Sequence, residues 1–118
     1  MRHRVAGRKF GLPSDQRRAL LKGLVRSLVK YGQIETTETR AKDLRGIVEK
    51  VITTAKTNDI HSRREARKWI PDESLVKVLF DDVAPKFANR PGGYTRMTKI
   101  GFRRGDAAPM VKLELIQD

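Results

Sequence analysis

The sequence predicts an α+β domain in which helices cover one face of a small three-stranded sheet. Apolar residues recur at three- and four-residue spacing in three segments before residue 84, which is typical of amphipathic helices. A short Thr-rich segment follows the first of these, and the last residues alternate between apolar and polar side chains. The predicted order is helix, strand, three helices and two strands, and this order is typical of the α+β class.

Charge is the strongest compositional feature. The 118 residues include 26 Lys and Arg against 14 acids, giving a formal net charge of +12. A small globular protein does not need this excess for solubility, so a polyanionic partner is expected. The absence of cysteine excludes disulfides and thiolate metal sites. With no apolar run near membrane-spanning length and no apolar segment behind Met1, we expect a soluble protein without a targeting signal.

The length allows one domain with an N-terminal extension. Residues 1–12 contain Gly7 and Gly11 without a periodic apolar pattern, and we predict an extended basic RNA-binding arm. Residues 13–118 are predicted to form a single α+β domain. Cations cluster in residues 1–31 and again in residues 84–105, where there is no acid, whereas residues 32–83 are neutral overall.

The first helix is predicted to begin with Ser14 as N-cap and to end at Gly32. Its apolar stripe comprises Leu20, Leu21, Leu24, Val25, Leu28 and Val29. Four cations, Arg18, Lys22, Arg26 and Lys30, fall at successive i to i+4 positions beside Arg17. Because such neighbours repel one another in water, the row favours contact with a phosphate backbone. The alternative is an ordinary solvent-exposed basic face.

The middle of the chain is predicted to be scaffold. Residues 33–37 form a strand, and Thr37 then caps a second helix whose buried face runs from Ala41 to Ala55. Asn58 and Asp59 cap a shorter third helix, Pro71-Asp72 separates it from a fourth, and Pro85 ends the helical region. Trp69 is expected at the edge of the core or in a protein contact.

The C-terminal part is predicted to be a turn followed by a hairpin. Gly92 and Gly93 lie in the turn between Arg90 and Arg96, and a phosphate of an RNA backbone or simple turn geometry would explain the two glycines. Strands are predicted over residues 94–100 and 110–116, and the intervening loop carries Arg103 and Arg104 at its tip. Tyr94 and Phe102 are candidates for base stacking or for core and hairpin packing.

Groups for catalysis or metal binding are sparse. His3 lies in the predicted arm and His61 beside arginines, and neither is near a plausible partner in the sequence. Asp81 and Asp82 are adjacent on a helix and therefore point in different directions. Neither a dinucleotide nor a P-loop motif occurs. We expect no enzyme activity, metal, cofactor, small-molecule substrate or membrane partner.

Several motifs together resemble the family of the seventeenth protein of the bacterial large ribosomal subunit. The matching motifs in the first half are Met1-Arg2-His3-Arg4, Gly7-Arg8-Lys9, Ile34-Glu35-Thr36-Thr37, Arg40-Ala41-Lys42 and Leu44-Arg45. Those in the second half are Gly92-Gly93-Tyr94-Thr95-Arg96, Lys99, Gly101, Arg103, Gly105-Asp106, Ala108-Pro109-Met110 and Glu114-Leu115. They follow the family's order over nearly the whole chain and match least over residues 58–75.

The resemblance implies helices packed on a three-stranded mixed sheet and a place in the cytoplasm, within the large ribosomal subunit. It also implies binding to large-subunit ribosomal RNA near the nascent-chain exit region, with other large-subunit proteins as neighbours. By matching positions, the resemblance implies that the RNA-binding residues are Arg2, His3, Arg4, Arg8, Lys9, Arg17, Arg18, Lys22, Arg26, Lys30, Arg90, Gly92, Gly93, Tyr94, Thr95, Arg96, Lys99, Arg103 and Arg104.

Two other functions are compatible with parts of the composition. A DNA-binding architectural protein would share the charge, but it would usually have a recognition helix or a symmetric dimer surface. A small RNA-modifying enzyme would need a convergent acid, base or cofactor site. Competition between duplex DNA and ribosomal RNA, and an assay for turnover, would distinguish these alternatives.

Overall fold

The computed structural model describes residues 14–116. The elements are helix α1 (Ser14–Tyr31), strand β1 (Gln33–Thr37), helices α2 (Glu38–Ala55), α3 (Ile60–Arg67) and α4 (Glu73–Val78), and strands β2 (Thr95–Phe102) and β3 (Pro109–Leu115). A π-helical turn (Leu79–Val83) and a 3₁₀ turn (Ala84–Phe87) extend α4. The predicted α+β class is confirmed, whereas the predicted arm at residues 1–12 lies outside the described residues.

Helix α1 buries the C-terminal half of the apolar stripe that its sequence predicts. Val25, Leu28 and Val29 are buried, whereas Leu20, Leu21 and Leu24 are half-buried. Ser14 is the first helical residue rather than the residue before the helix, so its predicted role as N-cap is not what the structure has. Gly32 ends the helix with a φ of 80°, and its N–H donates to the Leu28 carbonyl at 2.8 Å. Glycine adopts this left-handed conformation without the strain that a Cβ would cause.

Helix α2 is the central helix of the domain. Thr37 caps it, because its side-chain oxygen accepts a hydrogen bond from the Arg40 N–H. The buried face comprises Ala41, Leu44, Val48, Val51, Ile52 and Ala55. This face contacts all three strands, and helix α1, helix α3 and the turns after α4 also contact α2. The hydrophobic core therefore lies between the helices and one face of the sheet.

Helix α3 begins with the cap that the sequence predicts. The Asp59 carboxylate accepts a hydrogen bond from the Ser62 N–H at 2.7 Å, and the Ser62 hydroxyl oxygen accepts one from the Asp59 N–H at 2.8 Å. This reciprocal pair satisfies two backbone donors at the helix start. The Ser62 side chain is buried as a result of its place in the cap.

The prediction that Pro85 ends the helical region is wrong by a short turn. Pro85 lies within the 3₁₀ turn, which continues to Phe87. A proline at the start of a new helical turn lacks an N–H that would have no partner there, and its fixed φ suits the turn. Buried Val83, Ala84 and Phe87 anchor this segment to the core.

The sheet has the order β1-β3-β2, and both pairings are antiparallel. The mixed sheet that the family resemblance implied is therefore wrong. Because β3 is the middle strand and runs opposite to both neighbours, β1 and β2 run in the same direction without being paired. The predicted hairpin between β2 and β3 is confirmed.

Alternation along β3 divides the sheet into two faces. Val111, Leu113 and Leu115 are buried against the helices. Lys112 and Glu114 belong to the opposite face, where the strand register places Lys112 between Glu35 of β1 and Thr98 of β2. A bulge at Ile100 interrupts the register between Lys99 and Gly101.

Candidate nucleic-acid interface

Helix α1 carries the predicted row of cations, but one member of the row is paired within the chain. Arg18 and Lys30 are exposed, while Arg17 and Lys22 are half-buried. The Arg26 guanidinium lies 2.7 Å from the carboxylate of Asp72, just before α4. This ion pair offsets part of the repulsion along the row. Asp72 could not be identified as the partner from spacing, because it lies 46 positions after Arg26 in the chain.

An exposed aromatic ring adjoins the last cation of this row. The Lys30 ammonium lies 5.1 Å from the centre of the Tyr31 ring, and 66% of Tyr31 is exposed. A groove of about 350 Å³ beside them is lined by Gly23, Arg26, Ser27, Lys30, Tyr31, Asp72 and Leu75. The C-terminal end of α1 thus presents a mixed cationic and aromatic surface.

The glycine-containing turn before β2 is open to solvent. Gly93 has a φ of 65°, a conformation that residues with a Cβ rarely adopt. Gly92 is half-buried, and a side-chain Cβ there would meet no atom within 4 Å, so the turn leaves room for an approaching ligand. Arg90, at the start of the turn, is half-buried.

Lys56 holds this turn from the end of α2, a role that the sequence analysis missed. Its ammonium group donates hydrogen bonds to the Arg90 carbonyl at 2.7 Å and to the Tyr94 hydroxyl at 3.2 Å. These two acceptors lie on either side of Gly92 and Gly93. No sequence signal identified Lys56, since one acceptor is a backbone carbonyl far away along the chain.

Tyr94 is a core residue. Only 1% of it is exposed, and its ring lies 5.0 Å from that of Phe87. Of the two roles left open for Tyr94, base stacking is therefore wrong and core packing is what the structure has. The hydrogen bond with Thr53 lowers the pKa of the Tyr94 phenol, opposed by burial and assisted by Lys56. Thr95 is also buried, and its hydroxyl donates to Glu49 at 3.2 Å.

Strand β2 presents two further predicted cations. Arg96 lies on the outer face of the sheet, where its guanidinium is 3.0 Å from the carboxylate of Glu114 on β3. The strand register places these two residues opposite each other. Lys99 is exposed and makes no ion pair within residues 14–116. The two β2 cations therefore differ, because Arg96 has a carboxylate partner and Lys99 does not.

The tip of the β2–β3 hairpin carries Arg103 and Arg104, as predicted. The Arg103 guanidinium makes two hydrogen bonds to the Asp106 carboxylate, one of them at 3.1 Å. These bonds, together with the Ala108 N–H, lower the pKa of Asp106 to about 2, and Asp106 raises the pKa of Arg103. Arg104 is exposed.

The described cations form two separate surfaces. We call Arg17, Arg18, Lys22, Arg26 and Lys30 the α1 surface, and Arg90, Arg96, Lys99, Arg103 and Arg104 the hairpin surface. Helix α1 lies against β1, whereas β2 is the other edge of the sheet, with β3 between them. The predicted arm residues Arg2, His3, Arg4, Arg8 and Lys9 lie outside the described residues.

Groups that would support catalysis do not converge in residues 14–116. His61 is exposed on α3. Asp81 and Asp82 are exposed on the π turn, and Asp81 lies 3.9 Å from Arg63. No cluster of three or more acidic or histidine side chains in this part of the chain is arranged to hold a metal ion.

Between Ser14 and Ile116, no helix combines the length and the apolar character needed to cross a bilayer.

Comparison with known proteins gives one family. The family model described as ribosomal protein L17 matches residues 20–116. The chain is 59% identical over 109 residues to the large ribosomal subunit protein bL17 of Thermoanaerobacter sp. (strain X514), covering 92% of this chain and 97% of the relative. It is 62% identical over 109 residues to the protein of the same name from Clostridium botulinum (strain Eklund 17B / Type B), covering 92% and 96%.

Proposed function

The chain belongs to the ribosomal protein L17 family, and from this we propose that it binds and stabilises folded large-subunit ribosomal RNA as a structural component of the large ribosomal subunit. The family is a structural component of the ribosome and not an enzyme. In a bacterium this assigns the chain to the cytoplasm, with ribosomal RNA and neighbouring ribosomal proteins as its partners.

The observation that carries the proposal is the match to L17 over residues 20–116, which includes the whole hairpin surface and Lys22, Arg26 and Lys30 of the α1 surface. Exposed Arg and Lys side chains contact phosphate oxygens without reading sequence, and they order a protein on a folded RNA. The α1 surface lies beside β1 and the hairpin surface beside β2, at opposite edges of the sheet. A protein of this shape contacts two separate RNA segments and holds them in a fixed arrangement.

The proposed contacts follow the exposed cations. On the hairpin surface, Arg96, Lys99, Arg103 and Arg104 bind through their side chains, whereas Gly92, Gly93, Tyr94 and Thr95 bind through the main chain, since the last two side chains are buried. On the α1 surface, Arg17, Arg18, Lys22, Arg26 and Lys30 bind phosphates. Residues 1–12 add an extended basic arm to the single α+β domain of residues 13–118.

Salt dependence tests the RNA contacts directly. Binding of the full chain to large-subunit ribosomal RNA should weaken by roughly 10³ to 10⁵ between about 50 and 200 mM salt if about ten phosphates are contacted. The double variant Arg18→Ala/Lys22→Ala should have a shallower slope. The matched control, Lys50→Ala/Lys77→Ala, removes two exposed cations from the neutral middle of the chain and should keep the original slope.

Two results would contradict the proposal. One is a shallow salt dependence of the unaltered chain, and the other is equal binding to duplex DNA and to ribosomal RNA in competition. In cell extract, the chain should sediment with the large subunit and leave it at high salt or after RNase treatment.

The finer location is the solvent side of the large subunit near the nascent-chain exit region, which we infer from the family resemblance. An electron cryomicroscopy map of the large subunit that contains this chain tests it. Density for the β2–β3 hairpin and α1 far from the exit port would overturn the location while leaving the RNA-binding function intact.

A further inference from the structure

Phe102 is an aromatic residue that the fold leaves outside the core. Of this side chain 76% is exposed, and Ile100, at the bulge two residues before it, is 48% exposed. Phe102 pairs with Pro109 in the last register position before the loop. A phenylalanine exposed to this extent gains little from the hydrophobic effect in the isolated chain, so a partner that covers it would stabilise the complex.

The loop beyond Phe102 is held in one conformation. The Arg103 N–H donates to the Ala108 carbonyl at 2.9 Å, and the Ala107 N–H donates to the Arg103 carbonyl at 3.0 Å. The Asp106 carboxylate accepts hydrogen bonds from the Arg103 side chain and from the Ala108 N–H at 3.2 Å. Because these bonds fix the backbone next to Phe102, the ring is presented from a preorganised tip.

The charges around Phe102 identify the kind of partner. Lys99 precedes it by three residues and Arg104 follows it by two, and within residues 14–116 neither cation is paired with a carboxylate. The only acid in the loop, Asp106, is already bound to Arg103. An exposed ring with an unmatched cation on each side of it in the sequence suits a ligand that has a flat apolar face and flanking phosphates.

We propose that Phe102 stacks on an unpaired nucleobase of the ribosomal RNA, while Lys99 and Arg104 bind the phosphates that flank this base. This proposal rests on the proposed function and specifies the RNA feature that the hairpin binds, a single-stranded or bulged nucleotide. Sequence-independent contacts of the α1 surface do not require such a nucleotide. Aromatic side chains accept any base, because every base has a π-face.

Substitutions at Phe102 test the proposal by RNA binding. With full-length large-subunit ribosomal RNA transcribed in vitro, Phe102→Ala should bind about tenfold more weakly at constant salt, because stacking on an aromatic residue is lost. Phe102→Trp should bind at least as well as the original chain. Phe102→Leu, which keeps apolar area but has no ring, should resemble the alanine variant.

The salt slope separates stacking from charge. Phe102→Ala should leave the slope unchanged, whereas Arg104→Ala should reduce its magnitude by about 0.7 to 0.9, the value for one phosphate contact. Ile60→Ala is the matched control, since Ile60 is 73% exposed at the start of α3, far from the hairpin along the chain. It should change neither affinity nor slope, and all variants should keep the thermal unfolding midpoint of the original chain.

Chemical probing of the RNA identifies the base. The original chain should protect a small set of unpaired bases from dimethyl sulfate, and Phe102→Ala should restore their reactivity while the rest of the footprint remains. If the chain binds the RNA but Phe102→Ala binds equally well, stacking is wrong and the proposed function stands. If the chain does not bind the RNA at all, both are wrong.

One further result would replace the nucleobase by a protein partner. In that case Phe102→Leu would bind as well as the original chain, and the effect of Phe102→Ala would arise only when other large-subunit proteins are present.

Discussion

The Lys56 side chain makes its contacts within the protein, where it holds the turn before β2. Its ammonium group donates to the Arg90 carbonyl and to the Tyr94 hydroxyl, and it lies 5.2 Å from the centre of the Tyr94 ring. These contacts tie the two ends of the turn containing Gly92 and Gly93 to the end of α2. The turn can therefore be exposed and still have a fixed shape.

Replacing Lys56 by methionine should destabilise the fold and loosen this turn. The variant keeps most of the apolar stem but removes the part-buried hydrogen bond from Lys56 to the Arg90 carbonyl, and loss of such a bond costs about 1 to 3 kcal/mol. Circular dichroism should report an unfolding midpoint several degrees lower. Lys50→Met, at an exposed position of α2, is the control, and equal midpoints for the two variants would contradict the role of Lys56.

Residue roles were predictable where a local pattern determines them. Thr37 and Asp59 were identified as caps because the cap and the backbone groups it binds lie within three residues. Tyr94 could not be assigned from the sequence, since a buried and a stacking tyrosine share the same neighbours in the chain. Lys56 went unnoticed because its acceptors become neighbours only after α2 packs beside the turn.

Among the elements, the contact between α1 and α4 decides how the cationic row is used. The Arg26 and Asp72 side chains are both partly exposed, and their ion pair divides the row into Arg18 and Lys22 on one side and Lys30 on the other. Ion pairs exposed to this extent stabilise weakly and are screened by salt. The ion pair also orients the Arg26 side chain toward the start of α4.

Asp72→Asn should lower stability slightly, and more at low salt. Loss of the ion pair is expected to cost about 0.2 to 1 kcal/mol at low ionic strength, because Arg26 then repels Lys22 and Lys30 without compensation. Urea unfolding at two salt concentrations measures this difference. Glu73→Gln is the comparison variant, because it removes a neighbouring carboxylate that pairs with Arg67 and not with the cations of α1. A loss that is independent of salt for Asp72→Asn would contradict the electrostatic cause.

The elements themselves were largely predictable, and their arrangement was not. Alternation identified β3, and the apolar stripes identified α1 and α2, because these patterns repeat within each segment. The direction of β1 relative to β3 depends on a pairing between distant parts of the chain, which explains why the mixed sheet was wrong. Pro85 was misplaced because a proline that starts a new turn and one that ends a helix look alike in sequence.

At the scale of the whole molecule, a net charge of +12 acts against the folded state. Folding brings the cations of the α1 surface and the hairpin surface onto one small body, where they repel one another. The acids Asp72, Glu114 and Asp106 each pair with a cation of these surfaces and reduce this repulsion. The two cationic surfaces therefore include three acidic residues that could not be placed beside them from the distribution of charge along the sequence.

Moderate salt should stabilise the isolated chain. The screening length is about 10 Å at 0.1 M, so raising sodium chloride from about 10 to 150 mM should weaken repulsion between the surface cations and raise the unfolding midpoint by a few degrees. Differential scanning calorimetry measures this. The rise should be smaller for Arg18→Gln/Lys22→Gln, and a midpoint that falls with salt would show that attractive pairs dominate instead.

The middle strand of the sheet is β3, which follows every other described element in the chain. As a new copy leaves the ribosome, β1 emerges early and β2 late, yet neither has a partner until residues 109–115 appear. The sheet cannot assemble stepwise from its first strand, since such distant pairings must wait for synthesis of the last one. The cationic helix α1 is thus synthesised well before the sheet that it packs against is complete. During that interval its cations are open to binding by other polyanions.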